Sequence, residues 1–442
     1  MKKVITYGTY DLFHYGHQRL LERAKELGDY LIVGVTTDDF DKKRGKINVH
    51  QSLMERIESV RATGIADEII IEEYEGQKID DIKRFGIDIF TVGSDWVGYF
   101  DYLKEYCDVV YLERTEGVSS SDIRSTKRNI NLGLVGNGNI LKKFYVESNY
   151  VNGIEVNYIY IDNDDEVKDY ENENIVLTND FDELLKEVDA VFIVSHPLKH
   201  YAQIKKALIN NVHVLCESPI TLDENEYLEL LKLADEKNLI LMDSIKTAYS
   251  TAFDRLLLLI KGGKIGDVYS IDATCTSLRE YSEKSWNSIN FWAPTALLPI
   301  FKLLGTDYLG KEIFSLFLDE KENFDLFTKI NFQYKNAVAS IKVGNGVKSE
   351  GELIISGTDG YAYVPAPWWK TDYFELRFEN SEDNKKYFYQ LDGEGIRYEL
   401  VAFAKAIELN KNNSYVDFAI SQAICKIMEE FEKGNIKHIK KY

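Results

Sequence analysis

The sequence predicts an α/β protein: a doubly wound parallel sheet, a second strand–helix unit of the same kind, then an α+β open sheet. Three observations predict it. Up to about residue 128, short apolar runs alternate with stretches of helical apolar spacing, the pattern of a parallel sheet wound on both faces. At Asn131–Ile140 a fresh strand runs into a glycine turn and a helix, so a second sheet begins there. After about residue 246 the runs alternate apolar and polar residues, as strands of an antiparallel sheet do. A chain of 442 residues exceeds a single core, and the domain boundaries fall at 1–128, 129–245 and 246–442.

Composition narrows the function. Hydrophobic residues make up 45% and charged residues 29%, the proportions of a soluble globular protein. The net charge of −20 excludes a nucleic-acid partner, which requires a basic surface. Small phosphorylated ligands stay compatible, because they need only a local cationic pocket. Four scattered cysteines (Cys107, Cys216, Cys275 and Cys425) fit a reducing compartment, each as a small buried hydrophobe. Met1–Val4 runs directly into a strand, so no signal peptide is expected. The apolar run Leu256–Ile260 is far too short to span a bilayer. A cytoplasmic enzyme without a membrane partner is expected.

In the first unit, Val4 and Ile5 lead into Gly8, and Thr6–His17 reads TYGTYDLFHYGH. Helical spacing follows from Gln18 to Leu27. A helix start offers unpaired N–H groups and partial positive charge, which suit phosphate. Two imidazoles beside it, His14 and His17, can donate to phosphate oxygens. That is equipment for nucleotidyl transfer. Only His50 remains among the histidines of the first 130 residues to complete a zinc site, so no metal is expected on these imidazoles. Tyr30–Val35 is a buried parallel-type strand, and a polar stretch with Arg44 and Lys46 follows it. Ser52–Thr63 is helical and carries Arg56. Glu68–Ile71 and Ile87–Gly93 are strands, the latter ending in Ser94, Asp95 and Trp96. Val109–Leu112 is a fifth strand and runs into Arg114–Ser121. Ligands of such sheets sit at the carboxyl ends of strands, where the histidine pair, Asp95 and Arg114 all fall.

GTYDLFHYGH, the Asp95–Trp96 pair and RTEGVSSSDIR resemble the cytidylyltransferases that act on glycerol 3-phosphate, choline phosphate and ethanolamine phosphate. The match covers residues 1–126 and is nearest to the glycerol-3-phosphate branch. By that resemblance His14 and His17 contact the triphosphate, and Lys46, with Arg44 beside it, holds substrate and nucleotide phosphates. Arg114 and the backbone at Thr115 lie near the cytidine, and Ser119 and Ser120 hold phosphate at a helix start. Asp95 contacts the nucleotide, Gly8, Thr9 and Asp11 belong to its binding loop, and Arg56 is a further candidate for the substrate phosphate. Mg²⁺ bridging the phosphates is implied. The substrates implied are CTP and a small polyol phosphate, and the products of such enzymes feed surface polymers such as teichoic acids or capsules.

In the second unit Gly136 and Gly138 supply two glycines of a dinucleotide fingerprint, with Ile140 next and Leu141 where the third glycine would come. Val156–Ile161 is a strand ending at Asp162, the right distance for a carboxylate on an adenosine ribose. Ala190–Val194 is a strand, Ser195–Pro197 a turn, and His200 opens a helix. Val212–Cys216 is a strand followed by Glu217, Ser218 and Pro219. The series resembles the Gfo/Idh/MocA oxidoreductases from about residue 130 onward. It implies a Rossmann domain with NAD or NADP at Gly136, Gly138, Ile140, Asp162 and Glu217, and Asp162 leans towards NAD. The family's motif is Glu-Lys-Pro, so Ser218 stands in place of its lysine. On the helix Asn290–Gly305, Trp292 and Ala296 stand where the family carries Asp and His. Loss of a general acid is worth about 10²- to 10⁴-fold in rate. Ordinary dehydrogenase activity is therefore not expected, with Lys246 and Tyr249 as the remaining stand-ins.

In the third region Ala252–Ile260 is a helix stopped by glycines. Strands are expected at Val268–Thr274, Phe327–Tyr334, Ala337–Val343 and Glu352–Ile355, and helices at Tyr398–Leu409 and Ile420–Lys433. Trp368 and Trp369 read as packing at a sheet edge. The resemblance implies an open mixed sheet used for a homodimer or higher homo-oligomer. The reading is thus a cytidylyltransferase fused to a degenerate oxidoreductase. Two alternatives stand: a bifunctional keto-polyol-phosphate reductase and cytidylyltransferase, or a non-catalytic binding and dimerisation module in the second half.

The acceptor phosphate is itself the nucleophile and is ionised at neutral pH, so alignment and cationic stabilisation are the demands. Loss of one stabilising donor costs about 2.7–4 kcal/mol of barrier. His14→Ala and His17→Ala are each expected to lower turnover by at least roughly a hundredfold. The check is the rate of CDP-product formation from CTP.

Overall fold

The computed structural model describes residues 1–37, 51–74, 76–113, 130–136, 139–149, 151, 153–161, 175–278, 286–318, 324–389, 391–412 and 414–439. Contacts divide the chain into two units, Met1–Arg128 and Asn129–Tyr442.

In the first unit β1 (Lys3–Gly8), β2 (Tyr30–Thr36), β3 (Glu68–Glu72), β4 (Ile89–Gly93) and β5 (Asp108–Leu112) form a sheet of order β3-β2-β1-β4-β5. Every pairing is parallel. Among the described residues the helices are α1 (Tyr15–Glu26), α2 (Leu53–Ala62) and α3 (Gln77–Phe85). Ile5, Ile32, Ile70, Ile82 and Phe90 pack into one core between sheet and helix. The α3 helix was not expected from periodicity. Its nine residues are delimited by Gly76 and Gly86, both in the left-handed region. Strand order reverses between β1 and β4, so their carboxyl ends border the crevice where such folds take ligands.

The second unit opens with β6 (Ile130–Gly136), β7 (Ile154–Tyr160), β8 (Val176–Thr178), β9 (Ala190–Val194), β10 (His213–Glu217) and β11 (Leu241–Ser244). They form a parallel sheet of order β11-β10-β9-β6-β7-β8. Its helices are α4 (Asn139–Ser148), α5 (Phe181–Glu187), α6 (Pro197–Ile209) and α7 (Glu224–Glu236). His200 does not open a helix: α6 starts at Pro197, with the His196 side chain as its cap. Proline at the first helical position costs no hydrogen bond, which moves the start forward.

The rest of this unit carries α8 (Thr251–Lys261), β12 (Val268–Thr276), α9 (Ser288–Leu304), β13 (Gly310–Phe317), β14 (Asp325–Gln333), β15 (Val338–Gly344) and β16 (Leu353–Gly357). Then come β17 (Tyr361–Val364), β18 (Tyr373–Arg377), β19 (Lys385–Phe388), α10 (Ile396–Leu409), α11 (Phe418–Glu432) and β20 (Lys437–His438). The sheet order is β19-β18-β17-β16-β12-β15-β14-β13-β20. The alternating runs suggested an antiparallel sheet, but β12–β15 and β13–β20 pair parallel. The intervening α9, β13 and β14 carry the chain back to the start of the sheet, which makes β15 run with β12.

Trp292 and Ala296 are buried in α9, and Trp292 Nε1 donates to Asn345 Oδ1 at 2.9 Å. Trp368 is fully buried and donates to the Thr274 carbonyl at 3.1 Å, the packing role read for it. Cys216, Cys275 and Cys425 are buried, and Cys107 is half-buried. No described helix is long and apolar enough to cross a membrane.

Candidate functional site

The loop that closes β1 is built around a glycine. A Cβ at Gly8 would lie 2.9 Å from the ring of Tyr10, which folds back over it and is 2% exposed. Tyr10 (φ 54°) and Leu12 (φ 48°) hold the left-handed region, a costly backbone for residues with side chains. Long-range bonds hold it there. Asp11 Oδ1 accepts from the Gln51 amide at 2.9 Å, and Gln51 Oε1 accepts from the Leu12 amide at 2.7 Å. Arg56 donates from Nη1 to the carbonyls of Thr9 and Thr36, each at 2.7 Å, and from Nε to that of Gln51 at 3.1 Å. Expected at the substrate phosphate, Arg56 is instead fully buried as an anchor of these strand ends. A helical position with one lysine-like charge cannot distinguish the two roles in sequence.

The histidines sit where the pattern put them. His14 is the N-cap of α1, and its Nδ1 accepts from the Gly16 amide at 3.1 Å. His17 Nδ1 accepts from the His14 amide at 3.4 Å, completing a reciprocal cap. The two rings stack with centroids 4.0 Å apart. An acceptor role at Nδ1 puts the proton on Nε2, the atom that can donate to a phosphate oxygen. Burial lowers the His14 pKa, which favours this neutral form.

Beside this loop a pocket at the carboxyl edge of the sheet is lined by Gly8, Thr9, Thr36, Glu72, Lys78 and Trp96, among others. Lys78, in the first turn of α3, is ion-paired with Glu72 and stands 4.5 Å over the Tyr7 ring. Glu72 also accepts from Thr36 Oγ1 at 2.8 Å. Tyr7 donates to Asp81 at 3.0 Å, and burial together with Asp81 raises its phenol pKa, so it stays neutral. Lys78 was missed because α3 was missed. Its signal is a lysine one short turn beyond the acidic end of a strand.

Arg44, Lys46, Arg114, Thr115, Ser119 and Ser120 lie outside the described residues. Asp95 has its backbone in the turn Ser94–Trp96 after β4. Arg23 of α1 donates to the Glu113 carbonyl at 2.6 Å, fixing the end of β5 immediately before Arg114. Among the described residues no cluster of three or more His, Cys, Asp or Glu could hold a metal. Mg²⁺ in such a site would be carried by the phosphates of the nucleotide.

In the second unit Gly136 ends β6 with φ 134°, and a Cβ there would lie 2.8 Å from the backbone of Val194 and Ser195. Ile140 lies in the first turn of α4, while Gly138 and Asp162 lie outside the described residues. A strand ending in a glycine that only glycine can occupy, followed by a helix start, fits a dinucleotide pyrophosphate. Glu217 ends β10, and burial raises its carboxyl pKa to about 7 despite the nearby Lys246. Glu399 of α10 is fully buried and accepts from Ser244 Oγ at 2.9 Å, while its Oε1 has no hydrogen-bond partner. Burial and the Glu217 charge push its pKa well above the usual carboxylate range. Asp243, also buried, is raised to about 6. These carboxyls gather at the ends of β10 and β11, where burial raises each above the ordinary carboxylate range. Glu399 lay beyond sequence reasoning, since 182 residues of chain (399 − 217) separate it from Glu217. Tyr249 is buried with its hydroxyl 3.0 Å from Ser414 Oγ, which occupies it structurally. His200 Nδ1 lies 2.9 Å from the Pro219 carbonyl and Nε2 2.7 Å from that of Ser195; burial lowers its pKa to about 4, so it is neutral and donates to one of the two.

Each unit is similar to known proteins. The family described as cytidylyltransferase-like matches residues 5–126. The oxidoreductase family with an NAD-binding Rossmann fold, Gfo/Idh/MocA, matches residues 130–244. A glycerol-3-phosphate cytidylyltransferase of Bacillus spizizenii is 54% identical over 124 residues, 28% of this chain and 95% of that protein. One from Staphylococcus aureus is 49% identical over 126 residues, 28% of this chain and 93% of that protein. The solved 3-ketoreductase from Actinomadura kijaniata, in complex with NADP and TDP-benzene, superposes with a TM-score of 0.61. It covers 71% of this chain and 99% of its own at 16% identity, which shows the shared fold. The chain belongs to the cytidylyltransferase-like nucleotidyltransferases through its first unit, to which an oxidoreductase-type unit is fused.

Two outcomes follow from this geometry. Arg56→Met leaves buried carbonyls unpaired and is expected to destabilise the first unit by on the order of 3 kcal/mol. The check is faster amide exchange in β1 and β2. For Glu217, a folded-state pKa of about 7 above the ordinary 4.5 means stability present below pH 4.5 is lost as pH rises towards 7. Glu217→Gln removes that loss, so its melting temperature is expected to exceed the parent's at pH 8, with the gap closing near pH 4.

Proposed function

We propose that the first unit transfers CMP from CTP to glycerol 3-phosphate or a related polyol phosphate and releases pyrophosphate. The observation that carries this is the stacked His14–His17 pair at the helix cap, with Nδ1 of each ring as acceptor, beside the Gly8 loop. Similarity to glycerol-3-phosphate cytidylyltransferases over nearly their whole length supports it. An oxygen of the acceptor phosphate attacks the α-phosphorus. A new P–O–P bond forms, the bond to the β-phosphate breaks, and its electron pair leaves with pyrophosphate. The Nε2–H groups donate to phosphate oxygens as charge moves onto the leaving group. Lys78, held by Glu72 at the pocket wall, faces the acceptor phosphate. Arg44, Lys46, Arg114, Thr115, Ser119, Ser120 and Asp95 complete the nucleotide and phosphate contacts. Mg²⁺ neutralises triphosphate charge when bound.

A second activity is favoured by one observation. The Glu217–Glu399 pair keeps a proton at the edge of the Rossmann sheet, where the lysine replaced by Ser218 would have served. That proton suits reduction of a keto-polyol phosphate, with NAD or NADP supplying hydride when bound. The product would then be the acceptor of the first unit. Such CDP-polyols supply surface polymers, and the open sheet is the face for assembly into a homodimer or higher homo-oligomer.

Incubation with CTP, Mg²⁺ and a panel of polyol phosphates, with and without NAD(P)H, tests both readings by mass spectrometry of the nucleotide products. Failure to release pyrophosphate with any acceptor would overturn the first. Lys78→Met is expected to raise KM for the acceptor at least about tenfold, the scale of one charge-assisted hydrogen bond, with little change in CTP affinity.

A further inference from the structure

Three lysines of the second unit converge on one carboxylate. Glu394 stands in the turn Asp392–Gly395 that leads into α10. It accepts from Lys143 Nζ of α4 at 3.0 Å, from Lys246 Nζ just beyond β11 at 3.1 Å, and from Lys370 Nζ at 2.7 Å. Arg397 and Glu147 pair with each other alongside, at 2.9 Å. One carboxylate neutralises one of three ammonium groups. The described side chains of this cage therefore carry an uncompensated excess of positive charge, in a chain whose net charge is −20. Burial opposes ionisation of Glu394, yet hydrogen bonds from Lys370 and Lys143 and the charge of Lys246 draw its pKa down to about 2.

The turn is shaped to put a carboxylate there. Gly393 (φ 58°), Glu394 (φ 55°) and Gly395 (φ 91°) are consecutive left-handed residues. A Cβ at Gly393 would meet Glu147, and one at Gly395 would lie 2.7 Å from the Lys246 carbonyl. Glu394 is the residue among them that has a side chain in this uncommon backbone. The lysine side chains are 48%, 26% and 37% exposed in the order given, and a surface groove lined by Lys142, Val146 and Ile396 opens beside them. Ligand can reach the cage from solvent.

We propose that Lys143, Lys246 and Lys370 form a binding site for the terminal phosphate of a small phosphorylated polyol or ketose, and that Glu394 fills it as an internal counter-anion which the ligand displaces. A phosphomonoester offers three terminal oxygens and close to two negative charges, one oxygen for each ammonium, where a carboxylate offers two oxygens and one charge. The pyrophosphate of a dinucleotide carries one charge per phosphorus and matches the cage less well. Lys246 also lies close enough to Glu217 to act on its charge, so the cage borders the end of β10. The site rests on the reading of the first unit only for the choice of glycerol 3-phosphate as a probe.

Hydrogen exchange of the full chain tests it, followed in residues 139–148, 366–372 and 391–400 with inorganic phosphate, glycerol 3-phosphate and NADH as separate additions. These segments belong to the second unit, so pyrophosphate release by the first unit remains an independent measurement. Both phosphates are expected to protect them. Lys370→Gln is expected to weaken half-saturation at least about tenfold, and Glu394→Gln to tighten it by removing the competing anion. Lys143→Gln serves in place of Lys370→Gln if the latter does not fold. Absence of protection, protection indifferent to the lysine variants, weaker binding by Glu394→Gln, or protection by NADH alone would each overturn the proposal.

Discussion

The first unit depends on one buried guanidinium. Arg56 reaches from α2 to the carbonyls that end β1 and β2 and to the one at Gln51. Those groups lie at the edge of a parallel sheet, where the ladder stops and backbone acceptors need new partners. A charged, planar donor satisfies several at once and stays ionised even when buried. The strained loop through Tyr10 and Leu12 is thereby held open in front of α1. The histidine cap is set by the same arrangement, since His14 can take its place as N-cap only where that loop delivers it.

Charge is handled differently in the two units. In the first, Lys78 is matched by Glu72 within a pocket wall, and the surrounding Tyr7 stays neutral. In the second, one carboxylate is shared by three lysines, and other carboxyls lie buried at the strand ends. Carboxyls whose pKa burial raises gather behind the ends of β10 and β11, and lysines gather around Glu394. Lys246 belongs to both groups and links them.

The Rossmann edge at Ser218 is polar. Ser218 Oγ is buried, and Asp243 and Glu399 stand nearby with oxygen atoms that lack hydrogen-bond partners. Buried polar atoms in that state are costly, and proteins keep them mainly where they serve a ligand or a proton. The unit therefore retains polar chemistry at the place where its fold brings ligands, although Trp292 and Ala296 of α9 are committed to packing.

The sequence by itself determined the local and periodic features. The five-strand alternation of the first unit, the glycine turn, the histidine pair at a helix start, the division near residue 128 and the second strand–glycine–helix start were all legible. Each depends on contacts between neighbours in the chain, on the spacing of apolar residues, or on the backbone freedom of glycine. The tertiary structure alone decided which charged residues face one another. Arg56 became an anchor, Lys78 a wall of the pocket, Glu399 the partner of Glu217, and Glu394 the centre of three lysines. Lys143 and Glu394 are 251 positions apart, and no local pattern records such a meeting. Long charged side chains take their roles from what the folded chain brings within reach, and that is set by packing of the whole unit.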